Sequence, residues 1–257
     1  RRSRGHVPVP IPLSGAGAEV FAAGGDLKSS FAFARGGAAV MSQFIGDLES
    51  PSANDLYRAE MGRFRDIYRF DPGVVACDLH PGYFTTALAE ELEAAGLRKI
   101  MVQHHHAHIA SVMEERNLRG KVIGIAFDGT GYGTDGHLWG AEFLVADRRS
   151  FDRRAHFAYF PLPGGESAIR DVWKIGVALL YGLYGKEYPF MRRDDETAMA
   201  CELIEKNINC PETCSIGRLF DGVAAILGLT ETVSAEAEAA MLLEEAAFRG
   251  VKGRRDD

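Results

Sequence analysis

The chain has 257 residues, 46% hydrophobic and 25% charged. That is an ordinary globular composition, and it excludes disorder, collagen and coiled coil as whole-chain descriptions. Its 29 Lys+Arg against 36 Asp+Glu give a net charge of −7, which leaves no dense basic footprint for nucleic acid. Positive charge concentrates only at the ends, at Arg1, Arg2 and Arg4 and at Lys252, Arg254 and Arg255. The four cysteines, Cys77, Cys201, Cys210 and Cys214, are too few for a disulfide scaffold and fit a reducing compartment. Cys210 and Cys214 could hold half a zinc site, but no second Cys/His pair sits nearby in sequence. No apolar run approaches the roughly 18 residues of a membrane span, and no signal-peptide pattern opens the chain. The expectation is a cytoplasmic protein without a membrane or nucleic-acid partner.

Residues 1–17, with Pro8, Pro10, Pro12, Gly15 and Gly17, read as an extended linker. Three strands follow, Val20–Gly25, Ser29–Arg35 and Ala38–Phe44, separated by glycine-rich turns. Asp55–Tyr68 has helical periodicity, with Leu56, Met61, Phe64 and Ile67 toward one face. Val74–Cys77 reads as a buried strand, Phe84–Ala95 as a helix stopped by Gly96, Lys99–Val102 as a strand and His106–Asn117 as a helix. The order β-β-β-α-β-α-β-α over residues 18–120 predicts a ribonuclease-H-like lobe. The pattern then restarts with strands Val122–Phe127, Leu138–Val145 and His156–Phe160. Helices follow at Ala168–Tyr184, Asp194–Lys206, Arg218–Leu227 and Ser234–Ala247. Residues 121–257 therefore read as a partial second lobe with inserted helices. The predicted class is α/β, of the actin, Hsp-seventy and sugar-kinase ATPase type.

Four segments carry chemistry. In Gln103-His104-His105-His106-Ala107-His108, at a strand end opening a helix, His104 and His108 are four apart and share a face, while His105 points elsewhere. Neutral imidazoles suit zinc or iron; the plain alternative is a polar helix N-terminus. Asp128 ends an apolar strand, where ligands bind in α/β sheets, and Gly129-Thr130-Gly131-Tyr132-Gly133 turns that strand. Such a turn brings backbone N–H groups close to phosphate; the alternative is an ordinary hairpin. Its first-lobe counterpart, Gly24 to Ser30, offers Lys28 as a phosphate contact. In the loop Pro161 to Asp171, Ser167 reads as a helix cap and Arg170 could grip an anion. Finally, Gly217 opens a helix whose Asp221 could accept from ribose hydroxyls; from the residues alone, the plainer reading is a surface helix.

The stretches VQHHHAHIASVMEE, AFDGTGYGTDGHLWGAEF, FPLPGGESAIRDVWK and SIGRLFDGVAAILGL, with GGDLKSSFAFARG, FIGDLE and ACDLHPGY, together resemble the HypF family, the carbamoyltransferases of nickel–iron hydrogenase maturation. The resemblance runs through nearly the whole chain. It lies in that family's carboxyl-terminal domain, which is similar to the tRNA threonylcarbamoyl-transfer ATPases and to antibiotic O-carbamoyltransferases. It implies that a carbamoyl group passes from carbamoyl-adenylate, made from carbamoyl phosphate and ATP with Mg²⁺, to the C-terminal cysteine of HypE. It further implies that His104, His108 and Asp128 hold a divalent iron or zinc. Thr130, Gly131, Tyr132 and Gly133 would line nucleotide phosphates, and Gly217 and Asp221 would meet the ribose. The family's later segment, with a further nucleotide loop and a further aspartate ligand, finds no counterpart in the sequence, nor do its acylphosphatase, zinc-finger and YrdC-like domains. Transfer to a small-molecule hydroxyl and a non-catalytic nucleotide-binding or docking fragment are the competing readings.

Overall fold

The structure is a computed structural model that describes residues 9–15, 17–192 and 194–253; the basic residues Arg1, Arg2, Arg4, Arg254 and Arg255 lie outside them. It divides into two compact units, the first formed by Arg1–Lys121 with Asp147–Ser150, the second by Val122–Ala146 with Phe151–Asp257.

The first unit is built on a six-stranded sheet. Its strands are β1 (Ile11–Pro12), β2 (Val20–Gly24), β3 (Ala32–Arg35), β4 (Ala38–Met41), β5 (Val74–Asp78) and β6 (Arg98–Val102). The spatial order is β1-β4-β3-β2-β5-β6. The meander β2-β3-β4 is antiparallel, and β5 and β6 extend it in parallel from β2. That is the predicted ribonuclease-H-like order. Helices α1 (Pro51–Tyr68), α2 (Phe84–Ala94) and α3 (His104–Glu115) complete the unit.

The helix starts differ from the sequence reading. Helix α1 begins at Pro51 because Ser50 accepts from the Ala53 N–H and proline fits the first helical turn. Its inward face is Tyr57, Met61 and Phe64, with Glu60 also buried, while Leu56 and Ile67 are 45% and 72% exposed. The apolar spacing overlooked Tyr57, whose hydroxyl donates to the Ala23 carbonyl at 2.7 Å. Helix α3 begins at His104, two residues earlier than predicted, because the Gln103 side chain accepts from the His106 N–H. In α2, Asp26 sits 2.6 Å from the Phe84 nitrogen and 3.0 Å from that of Thr85, capping from a distant loop. The core is aromatic: Phe21, Phe31, Phe33, Tyr57 and Phe70 pack with Val75 and Leu88, and Phe33 stacks on Phe70 at 4.9 Å.

In the second unit, β7 (Val122–Tyr132), β8 (Leu138–Ala146) and β9 (Phe151–His156) form an antiparallel meander. The short strand β11 (Glu212–Thr213) joins β8 in parallel and pairs with β10 (Phe160–Pro161). The expected strand His156–Phe160 is therefore two strands, ending and beginning at those residues. Likewise Ala168–Tyr184 is α4 (Ser167–Arg170) and α5 (Trp173–Tyr184), broken where Asp171 leaves helical geometry at φ −91°, ψ 69°. Ser167 is the first residue of α4 rather than its cap, which is Glu166. Then come α6 (Asp195–Lys206), α7 (Ile216–Ile226) and α8 (Glu238–Gly253). Helix α6 carries a capping box between Asp194 and Thr197, while α8 starts four residues later than predicted.

Buried Trp173, Val177 and Leu180 join α5 to Tyr188 and to Ala200 of α6. All four cysteines are buried free thiols. Among the described residues, no helix is long and apolar enough to cross a membrane.

Candidate functional site

In the first unit, chemistry gathers where β5 and β6 end. These strands are parallel and pair Asp78 with Val102. The chain then turns through Gln103 into α3, so the first turn of α3 stands beside the end of β5. The four histidines divide their work. His105 is fully buried, its Nδ1 3.0 Å from Gln103 Nε2. His106 donates from Nε2 to the Asp147 carbonyl at 2.7 Å. His104 and His108 share the remaining face, with their Nε2 atoms 3.1 Å apart. An ion bound tetrahedrally at about 2.0–2.1 Å separates two ligand nitrogens by ~3.3–3.4 Å, so this pair fits one ion with a small opening. Asp78, which the sequence reading passed over, lies with Oδ2 3.1 Å from His104 Nδ1.

Lys28, from the first-lobe loop, is exposed. Its backbone is left-handed at φ 50°, and its N–H donates to Asp47 at 2.6 Å. Nearby His80 is held below the ordinary imidazole value by burial, against the opposing charges of Asp78 and Asp26.

In the second unit the expected turn at Gly129–Gly133 is something else. Strand β7 runs on to Tyr132, and its register slips between Phe127 and Gly131. Asp128, Gly129 and Thr130 thus bulge opposite the single residue Gly140. The reversal itself falls later, where the Gly133 N–H donates to the His137 carbonyl at 2.9 Å. A Cβ on Gly133 would collide with the Trp139 indole.

The bulge is held by close backbone packing. A Cβ on Gly140 would lie 2.6 Å from the Asp128 carbonyl and 2.8 Å from Ser215 Cα, and one on Gly217 would lie 3.0 Å from Gly129 Cα. Only glycine permits these approaches. The Ser215 hydroxyl meets the carbonyls of Asp128 and Gly129 at 2.9 and 2.8 Å and accepts from the Arg218 N–H as the cap of α7. The N-terminus of α7 is thereby pinned against the bulge. Asp128, Gly129, Gly217 and Asp221 are brought into one neighbourhood. Asp221 is buried and paired with Arg218 at 3.0 Å; burial raises its carboxyl and the Arg218 charge opposes that. Arg170 is exposed at the end of α4.

Behind the bulge lies a charged network that no motif signalled. Glu142 is fully buried and accepts from Arg153 Nε at 2.6 Å, the Cys214 thiol at 3.0 Å and the Gly140 N–H at 3.2 Å. Arg153 lies 3.8 Å from the centre of the Trp139 ring and also reaches Asp135 and Tyr159. Burial pushes the Glu142 carboxyl up, but donation from Arg153 and Cys214 outweighs it and the group sits below its ordinary 4.5. Burial, with Glu142 beside it, pushes the Cys214 thiol up to about 11. Cys214 is committed to Glu142 and Arg153.

Two family models cover the chain. The HypF Kae1-like domain matches residues 15–115, and the second subdomain of the carbamoyltransferase Kae1-like domain matches residues 124–256. The chain is 38% identical over 250 residues to carbamoyltransferase HypF2 of Cupriavidus necator, which covers 95% of this chain and 31% of that protein. It is 37% identical over 246 residues to carbamoyltransferase HypF of Rhizobium leguminosarum bv. viciae, covering 95% of the chain and 32% of the relative. Among solved structures, full-length HypF in a phosphate- and nucleotide-bound form superposes with a TM-score of 0.87 at 44% identity, over 94% of this chain and 38% of that one. HypF of T. kodakarensis gives 0.85 at 35% identity, over 95% and 34%.

The mixed α/β fold and the two matching models together define a Kae1-like domain. Within that class the chain belongs to the HypF carbamoyltransferase family. It spans about a third of the length of these two curated relatives.

Proposed function

We propose that this chain carries a carbamoyl-transfer step of hydrogenase maturation in the cytoplasm, moving a carbamoyl group from carbamoyl-adenylate to the C-terminal cysteine of HypE. The adenylate would come from carbamoyl phosphate and ATP with Mg²⁺. The observation that carries this reading is the His104–His108 pair, two Nε2 atoms 3.1 Å apart on the opening turns of a helix, in a chain of this family.

In the proposed site His104 and His108 hold an iron or zinc ion, with Asp128 as a further ligand. When bound, that ion supplies Lewis-acid polarisation of a substrate oxygen. Thr130, Gly131, Tyr132 and Gly133 face the phosphates. Gly217 and Asp221 meet the ribose, with Arg218 as the counter-charge of Asp221. Lys28 and Arg170 neutralise phosphate charge. That a relative has been solved with phosphate and nucleotide bound supports these roles.

The transfer forms a bond from the HypE cysteine sulfur to the carbamoyl carbon. It breaks the bond from that carbon to the phosphate oxygen, and the electron pair leaves with AMP. The attacking group comes from the partner as a thiolate, so no nucleophile of this chain is consumed. Its side chains and backbone amides orient the two substrates and offset charge on the leaving phosphate. The buried cysteines fit that division of labour, Cys214 most clearly, because a thiol pushed up to about 11 is not a thiolate at neutral pH.

The test supplies the chain with carbamoyl-adenylate and HypE and follows carbamoylation of the HypE terminal cysteine by mass spectrometry. Transfer should occur with the native chain and disappear in the His104→Ala/His108→Ala double variant. Equal transfer by both proteins would overturn the assignment.

A further inference from the structure

The His104–His108 pair has a neighbour that the proposed function leaves unused. Asp78 is the last residue of β5 and is 8% exposed. Both of its carboxylate oxygens are engaged: Oδ1 accepts the backbone N–H of His80 at 2.9 Å, and Oδ2 lies 3.1 Å from His104 Nδ1. The Thr86 hydroxyl reaches the Asp78 carbonyl at 3.4 Å, fixing the strand end from the other side. The sheet sets this geometry, because Asp78 is in register with Val102, two residues before His104.

A carboxylate oxygen accepts and a ring N–H donates, so the Asp78–His104 contact places the His104 N–H on Nδ1. A neutral imidazole carries one N–H, which leaves the lone pair of His104 on Nε2, the atom that faces His108. We infer that Asp78 is a positioning residue that fixes His104 as the Nδ1–H tautomer and aims its Nε2 lone pair at the point shared with His108, to receive a divalent transition-metal cation. This inference rests on reading the two histidines as ligands. The assignment is specific to His104, since Gln103 meets His105 and the Asp147 carbonyl meets His106. An anionic acceptor on the far nitrogen of a ligating histidine orients the ring and makes its other nitrogen a better donor. Loss of such a partner typically weakens metal affinity roughly 10- to 100-fold. Because Oδ1 is held by the His80 amide, Asp78 serves the ion through the imidazole and not as a ligand itself.

Two readouts on the whole chain test this. The first is a long-range proton–nitrogen correlation spectrum of the ¹⁵N-labelled, metal-free protein at pH ~8.5, where imidazoles are neutral. It should show His104 protonated on Nδ1 in the native chain. In Asp78→Ala it should move toward the Nε2–H form that a free imidazole favours. The second is Co²⁺ affinity measured against a chromophoric chelator, which should fall by roughly 10- to 100-fold in Asp78→Ala and less in the near-isosteric Asp78→Asn, whose amide oxygen can still accept. Asp78→Asn also keeps both readouts available if the alanine variant does not fold. An unchanged tautomer together with unchanged Co²⁺ affinity in the Asp78 variants would overturn the inference. A native chain that shows the Nδ1–H form, loses it in Asp78→Ala and yet binds no Co²⁺ would uphold the orienting role and overturn the metal reading instead.

Discussion

The first unit fills the space beneath its sheet with rings, Phe21, Phe31, Phe33, Tyr57 and Phe70 in mutual contact, and leaves its chemistry to side chains at the strand ends. The second unit sets a charged cluster against its own sheet, where Glu142 and Arg153 join Asp135, Tyr159 and Cys214, and makes its candidate site mostly from backbone. The first arrangement gains its stability from apolar burial and can present polar groups at low cost. In the second, a bulged strand and a helix start are held together by hydrogen bonds and glycine contacts, so site and structure depend on the same atoms. Substitutions should therefore do different things in the two units.

The largest effect is expected at Glu142. Changing it to alanine leaves the Arg153 guanidinium without its buried partner, which typically costs about 3–5 kcal/mol, measurable by urea unfolding. A cost under about 1 kcal/mol would show that the network is not what holds the second unit. The same carboxylate gives a pH signature. Its folded-state value lies below its ordinary 4.5, and that of Asp135 lies below 3.8. The stability they contribute is therefore present above those ordinary values and is lost as pH falls through the depressed ones. Melting temperatures between pH 7 and pH 3 should fall more steeply in the native chain than in Glu142→Gln.

Gly140→Ala comes next. Its methyl would meet the Asp128 carbonyl and Ser215 Cα inside 3.0 Å, and neither can rotate away. The loss should be about 1–3 kcal/mol, with weakened nucleotide binding because the bulge itself must shift. Ser215→Ala removes the α7 cap and the grip on two carbonyls, for about 0.5–2 kcal/mol. At the small end, Ile67→Ser on α1 should change stability by no more than about 0.5 kcal/mol, because that side chain is 72% exposed. A larger loss would mean that the apolar face read from the sequence is the one that packs.

The strand order of the first unit could be read in the sequence because glycine turns and alternating apolar runs are local signals. The His104–His108 pair could be read for a similar reason, since a rare residue type recurs at helical spacing. Asp78 was not legible: a lone aspartate ending a strand looks like any loop entry until sheet register sets it beside His104. Glu142 was hidden more deeply. In Leu138–Ala146 it reads as an outward polar residue of a strand, and its burial depends on Arg153 arriving from β9 and Cys214 from beyond β11. The glycine-rich run after Asp128 stands out in the sequence but reads as a turn. Nothing local distinguishes a turn from a bulge whose space is defined by Gly140 and Ser215, far along the chain. The helix-face error in α1 has the same root, for Tyr57 is buried by a hydrogen bond to Ala23 that periodicity does not see.

Whether the imidazole pair holds a metal ion is read most directly from elemental analysis of the purified chain beside its His104→Ala/His108→Ala variant. The native chain should carry close to one iron or zinc ion and the variant almost none, with the fold retained. Equal metal content in the two proteins, or none in either after incubation with both ions, would contradict metal binding by the pair.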